Sequence, residues 1–144
     1  MPVKILIADD YAAFREFLKS FVAKMPETCI AGEAADGEEA VQLVSHLKPD
    51  LVLMDIEMPR MDGLEATRQI KALSTPTKVV LLSALADEAR SKGAADCGAD
   101  GFLVKGTNVR EMITALRKVA THGSEARQAV DAQFLAKEDE VSCT

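Results

Sequence analysis

Cysteine is too sparse and too scattered in this sequence to staple a fold. Cys29, Cys97 and Cys143 are odd in number, far apart and never spaced as C-x-x-C, so neither a disulfide framework nor a zinc site is expected. They read as plain thiols in a reducing compartment, and the chain as cytoplasmic. No stretch approaches the roughly 20 apolar residues that span a bilayer. The opening MPVKILIADD sets one lysine before an apolar run too short for a signal peptide, then meets two acids, so no membrane role is expected. Positive charge is also short: 17 Lys and Arg stand against 23 Asp and Glu, a net charge of -6. That balance argues against a surface built to neutralise phosphate backbones, leaving room for a small local patch, and direct nucleic-acid binding by this segment is not expected. There is no internal repeat and no Gly/Ser-rich or Pro-rich tract. With 144 residues, 48% of them hydrophobic and 28% charged, the chain suits one globular domain plus an added segment rather than two domains.

What is present is an alternation. Short apolar, β-branched runs at 3–8 (VKILIA), 29–34 (CIAGEA), 51–55 (LVLMD), 78–83 (KVVLLS) and 101–105 (GFLVK) are separated by helical patterns. Such a pattern predicts an α/β fold, a parallel sheet covered on both faces. The second strand is the weakest because it contains Gly32. The first helix carries Phe14, Phe17, Leu18, Phe21 and Val22 at i, i+3, i+4, i+7 and i+8, one stripe expected to be buried. Capping-box spacing marks three more starts: Asp36 with Glu39, Asp62 with Glu65, and Asn108 with Glu111. The second helix is expected to bury Ala40, Leu43, Val44 and Leu47, and the last Val109, Met112, Ile113, Leu116 and Val119. The fourth, about 86–97, offers alanines, hardly one large apolar anchor, and Gly93 inside it, which costs about 1 kcal/mol relative to alanine. It is expected to be lightly held, and low local stability is where moving parts are found. Residues 122–144 change character, with two basic against five acidic residues, and read as an extension or linker, partly helical if Val130 and Phe134 share a face.

The strand ends carry the chemistry. In an open doubly wound sheet, ligands gather at the carboxyl ends of strands. Here the first ends in Asp9 and Asp10, the third in Asp55, the fourth in Ser83 and the fifth in Lys105. If the strands are in register and ordered 2-1-3-4-5, the first and third are adjacent and three carboxylates meet at one edge. Clustered carboxylates repel and take up protons unless a cation joins them. Hard oxygen ligands with room for water suit Mg²⁺, which favours a few carboxylates plus a phosphate oxygen. Asp55 could then attack phosphorus to form an acyl phosphate, with Lys105 neutralising one phosphoryl oxygen and Ser83 donating to another.

The acidic pair in LIADD, the block DIEMPRMDG, LLSAL and GFLVK together resemble the receiver domain of two-component response regulators, over roughly residues 3–121. The resemblance implies a flavodoxin-like (βα)5 fold for residues 1–121, with 122–144 outside it. It also implies Mg²⁺ and phosphoryl transfer to Asp55 from a sensor histidine kinase or phosphotransfer protein. It makes Asp9 and Asp10 metal-binding acids and Asp55 both phosphoacceptor and metal ligand. The Glu57 backbone carbonyl becomes a further ligand, and Ser83 and Lys105 become phosphate contacts. Ser83 and Phe102 fall at the family's switch positions, and the implied output is a changed face of fourth helix, fifth strand and fifth helix, where a second copy could bind. Ala84 leaves space for phosphoryl oxygens, while Leu85 and Glu57 sit where the family tunes phosphate loss. Many receivers follow the lysine with a cis proline; here Gly106 follows, so no cis peptide is assumed.

Two other readings remain. GFLVKG and VREMITALRKVATHG are similar to receivers of the NarL type, with SEARQAVDAQFLA like the linker before their DNA-binding part, so the chain could be the front of a transcriptional regulator. A haloacid-dehalogenase-like phosphatase also phosphorylates an aspartate with Mg²⁺, but its D-x-D would need an aspartate where this sequence has Glu57.

Overall fold

The computed structural model describes residues 2–73, 75–85 and 87–122. Five strands and five helices alternate: β1 (Val3–Ala8), α1 (Ala12–Ala23), β2 (Thr28–Ala34), α2 (Gly37–Leu47), β3 (Leu51–Asp55), α3 (Gly63–Ala72), β4 (Lys78–Ser83), α4 (Glu88–Asp96), β5 (Gly101–Val104) and α5 (Val109–His122). The strands are parallel in the order β2-β1-β3-β4-β5, the expected doubly wound sheet. Alternate side chains go to opposite faces. Ile5, Ile7, Leu53, Leu82 and Leu103 pack with α1 and α5, whereas Leu6, Val52, Met54 and Leu81 pack with α2, α3 and α4. Burial on both faces is why β1, β3 and β4 read as unbroken apolar runs.

The helix starts follow their caps. Asp36 accepts from Glu39 N, Asp62 from Glu65 N and Asn108 from Glu111 N, each at 2.9 Å. Asp87 caps α4 in the same way through Arg90 N, which sets its start at Glu88 rather than near residue 86. The weak second strand is real but irregular: its register to β1 shifts between Ile5 and Leu6, so Ile5 pairs with Ile30 and Leu6 with Gly32.

The stripes are narrower than expected. Phe17 is 41% exposed, and Leu47 and Val109 are also exposed. Phe17 lies at the margin of the arc centred on Leu18 and Phe21, so the sheet passes beneath its neighbours and misses it, leaving it beside the rings of Phe14 and Phe21. Leu47 and Val109 are terminal helix residues, beyond the reach of the covering sheet. On α4 the only buried side chain is Ala94, as expected of a lightly held helix, and Gly93 lets it lie against Leu64. Among the described residues no helix is long and apolar enough to cross a membrane. The expected extension, with Val130, Phe134 and Cys143, lies outside the described residues except for His122, which ends α5.

Candidate functional site

Register brings the strand ends together. Ala8 pairs with Met54, Asp55 with Leu82, and Ser83 with Val104. Hydrogen bonds extend the ladder beyond the strands: Ile56 N donates to Leu82 O and Lys105 N to Ser83 O. Asp9, Asp10, Asp55, Ser83 and Lys105 therefore emerge along one rim.

Asp9, Asp10 and Asp55 each present a carboxylate oxygen within 4.8 Å of the others, Asp9 and Asp55 buried and Asp10 exposed. One oxygen of Asp9 accepts from Tyr11 N at 2.8 Å. The other, Oδ2, is buried and has no hydrogen bond of proper geometry, although Lys105 Nζ stands 2.8 Å away. The same ammonium lies 3.4 Å from Asp55 Oδ1 and 4.3 Å from the centre of the Phe14 ring. An under-satisfied buried oxygen beside two more carboxylates fits a hard divalent cation, which takes such oxygens directly.

The charge balance shows in the titration of these groups. Burial, then the negative charge of Asp9, pushes the Asp55 carboxyl up to about 6, against the pull of Lys105. Burial works against the Lys105 ammonium, but Asp9 and Asp55 outweigh it and hold its pKa above the ordinary value. Asp55 is thus a carboxylate held in tension, its anion disfavoured by burial and by Asp9 and favoured by Lys105.

Ser83 is fully buried, and its Oγ accepts from Leu85 N at 3.2 Å. Among the described residues its hydroxyl proton has no acceptor of its own, so it can donate. Ala84 and Leu85 are exposed beside it. Phe102 is half-buried and packs against the core under α2, α3 and α4. The 105–106 peptide is trans, and Gly106 takes a φ of 102°, which glycine adopts without strain. Glu57 is exposed at the rim, its carboxylate 2.6 Å from Arg90 Nε.

Three contributors were not anticipated. Phe14 is more than core packing, since it carries the Lys105 ammonium. Arg15 donates to the Asp9 carbonyl at 2.6 Å and to Glu33, tying α1 and β2 to the acidic end of β1. Arg90 reaches from α4 to the loop after β3. The lone sequence signals were Arg15 in the turn after Asp10, and Arg90 three residues beyond a capping Asp87.

Residues 5–117 match the family described as response regulator receiver domain. The chain belongs to that family. Receiver domains of response regulators are signalling proteins, and the flavodoxin-like fold expected for them is the one observed. The transcriptional regulatory protein DegU of Brevibacillus brevis is 38% identical over 122 residues, covering 85% of this chain and 52% of that protein. The signal receiver domain of NarL from Mycobacterium tuberculosis superposes with a TM-score of 0.81 at 32% identity, covering 84% of this chain and 98% of that one. CheY of Borrelia burgdorferi, solved with CheX, BeF3 and magnesium, gives a TM-score of 0.77 at 30% identity, covering 83% and 90%. This receiver spans between about half and two thirds of the length of the curated relatives it matches.

Proposed function

We propose that this receiver, comprising residues 1–121, is a cytoplasmic switch that takes a phosphoryl group onto Asp55 from a sensor histidine kinase or phosphotransfer protein. The observation that carries the reading is the convergence of Asp9, Asp10 and Asp55 with Lys105 between two of them. Asp55, with a pKa near 6, is roughly nine tenths ionised at pH 7 and so is a ready nucleophile. One of its oxygens bonds to phosphorus as the bond from phosphorus to the donor's imidazole nitrogen breaks. The electron pair returns to that nitrogen, which takes a proton from water, and Asp55 is left as an acyl phosphate.

Lys105 neutralises one phosphoryl oxygen and the free Ser83 proton is donated to another. Asp9, Asp10, Asp55 and the Glu57 carbonyl would hold Mg²⁺, which would supply positive charge to the phosphoryl oxygens. As Ser83 turns toward phosphate, Phe102 next to β4 repacks, altering the α4–β5–α5 face. A groove of about 440 Å³ along this face, lined by Ser91, Ala94, Phe102, Ala115 and Leu116, supports the reading, because small side chains leave α4 room to shift. A second copy of the chain is one partner this face could take.

The reading predicts one equivalent of label from radioactive acetyl phosphate with Mg²⁺, none after chelation and none in Asp55→Asn. Sustained turnover of phosphate esters would instead favour the phosphatase. A second reading of the output, that residues 122–144 lead into a DNA-binding part, is favoured by coverage of 52% of a transcriptional regulator. The full reading frame of the gene decides it.

A further inference from the structure

The ionic bridge between α4 and the loop after β3 involves the side chains of Arg90 and Glu57, neither of which has a role in the phosphorylation proposed above, where only the Glu57 carbonyl was used. Arg90 Nε lies 2.6 Å from Glu57 Oε2 and Nη1 2.7 Å from Asp87 Oδ2, while the Arg90 backbone N–H is held by Asp87 Oδ1 at 2.9 Å. A guanidinium gripped on two sides is oriented as well as charged. These contacts set the carboxylates of Asp9, Asp10, Asp55, Glu57 and Asp87 against the cations of Lys105 and Arg90. Arg15 is engaged by the Asp9 carbonyl and Glu33. Glu57 is the acid two residues beyond Asp55, exposed at the same rim, where its negative charge would repel an anionic phosphoryl donor.

We infer that Arg90 is a positioning residue for phosphorylation, which draws the Glu57 carboxylate aside and screens its charge from the incoming phosphodonor. This rests on Asp55 being the phosphoacceptor. Because Arg90 belongs to α4, the helix proposed to shift, the screen is in place only while the end of α4 lies against the loop after β3. Readiness to accept phosphate is thereby coupled to the position of α4.

The test is a four-member cycle of wild type, Arg90→Ala, Glu57→Gln and the double variant, timed with acetyl phosphate and Mg²⁺ at low salt. Removing one screening charge near a steered anion should slow the reaction by about three- to tenfold. In the Glu57→Gln background the same change should cost less than about twofold, and the wild-type advantage should shrink in high salt. Arg90→Lys should retain most of the rate, since it keeps the charge. An equal loss in both backgrounds overturns the inference, because Arg90 would then act without Glu57, and so does no loss in either. Failure of the wild type itself to take label at Asp55 overturns the phosphoacceptor reading beneath it.

Discussion

Lys105 holds its ammonium over the Phe14 ring while pairing with Asp9 and Asp55. The Lys105 side chain is only 19% exposed there, and a cation–π contact is worth about 0.5 to 2 kcal/mol, more as it is desolvated. The ring, carried by α1, also fixes which way the lysine points as it leaves the end of β5. Phe14→Leu should therefore slow phosphorylation of Asp55 by about three- to thirtyfold, as a contact of this strength implies. Phe14→Tyr should keep most of the rate. Timed labelling with acetyl phosphate checks both, and equal rates in Leu and Tyr would make the ring mere filler.

The tension at Asp55 should be measurable as stability. Its folded-state pKa of about 6 lies above the ordinary value of 3.8, so between those limits the folded protein holds a proton that the unfolded chain has released. In chelator, this group makes stability fall as pH rises from about 4 to about 6 and stay level above. The full shift corresponds to up to about 3 kcal/mol at neutral pH. Asp55→Asn should be more stable than wild type at pH 7 by an amount approaching that figure, and the difference should vanish near pH 4. Urea unfolding at both pH values checks it. The subtraction matters because Glu33, Asp36 and Asp87 have lowered pKa values and tilt the whole curve the other way.

Two glycines should answer differently to alanine. A Cβ on Gly63 would stand 2.2 Å from the Asp55 carbonyl oxygen, whereas one on Gly93 would meet only the tip of the Leu64 side chain at 3.0 Å. Backbone cannot retreat, and Gly63 N also donates to Ile56 O, so Gly63→Ala should cost about 3 kcal/mol or more and slow labelling of Asp55. Gly93→Ala gains about 1 kcal/mol of helix propensity against a small displacement of Leu64, and should fall within about 1 kcal/mol of wild type. Thermal unfolding of the two variants separates them.

Leu85 is 52% exposed, and its N–H is bonded to Ser83 Oγ. It stands beside the hydroxyl proposed to touch phosphate, and we propose that its bulk there hinders an attacking water. Leu85→Ala should shorten the half-life of the phosphorylated protein severalfold. An unchanged or longer half-life, measured after removal of the donor, would count against it.

Much of this was legible in the chain itself. Strand runs, capping acids and the acids at strand ends are local patterns, and the rule that ligands gather at carboxyl ends turns such patterns into a site. Asp9, Asp10, Asp55, Ser83 and Lys105 are singled out in that way on the condition of a 2-1-3-4-5 strand order, and the structure brings them to one rim. Phe17, Leu47 and Val109 were misplaced because periodicity gives the direction of a side chain around its own helix, not how far the neighbouring sheet extends beneath it. The register shift opposite Gly32 was hidden for a similar reason, since it belongs to the pairing of two strands.

The sequence by itself determined which residues are strand, which are helix and which chemistry sits at each strand end, because backbone preference and side-chain period act within a few residues. Tertiary structure alone decided that Lys105 rests on Phe14, that Arg90 meets Glu57 across 33 positions and that one oxygen of Asp9 is left under-satisfied. Those outcomes depend on where whole elements dock, and docking is set by packing summed over both faces of the sheet, which no short stretch of sequence contains.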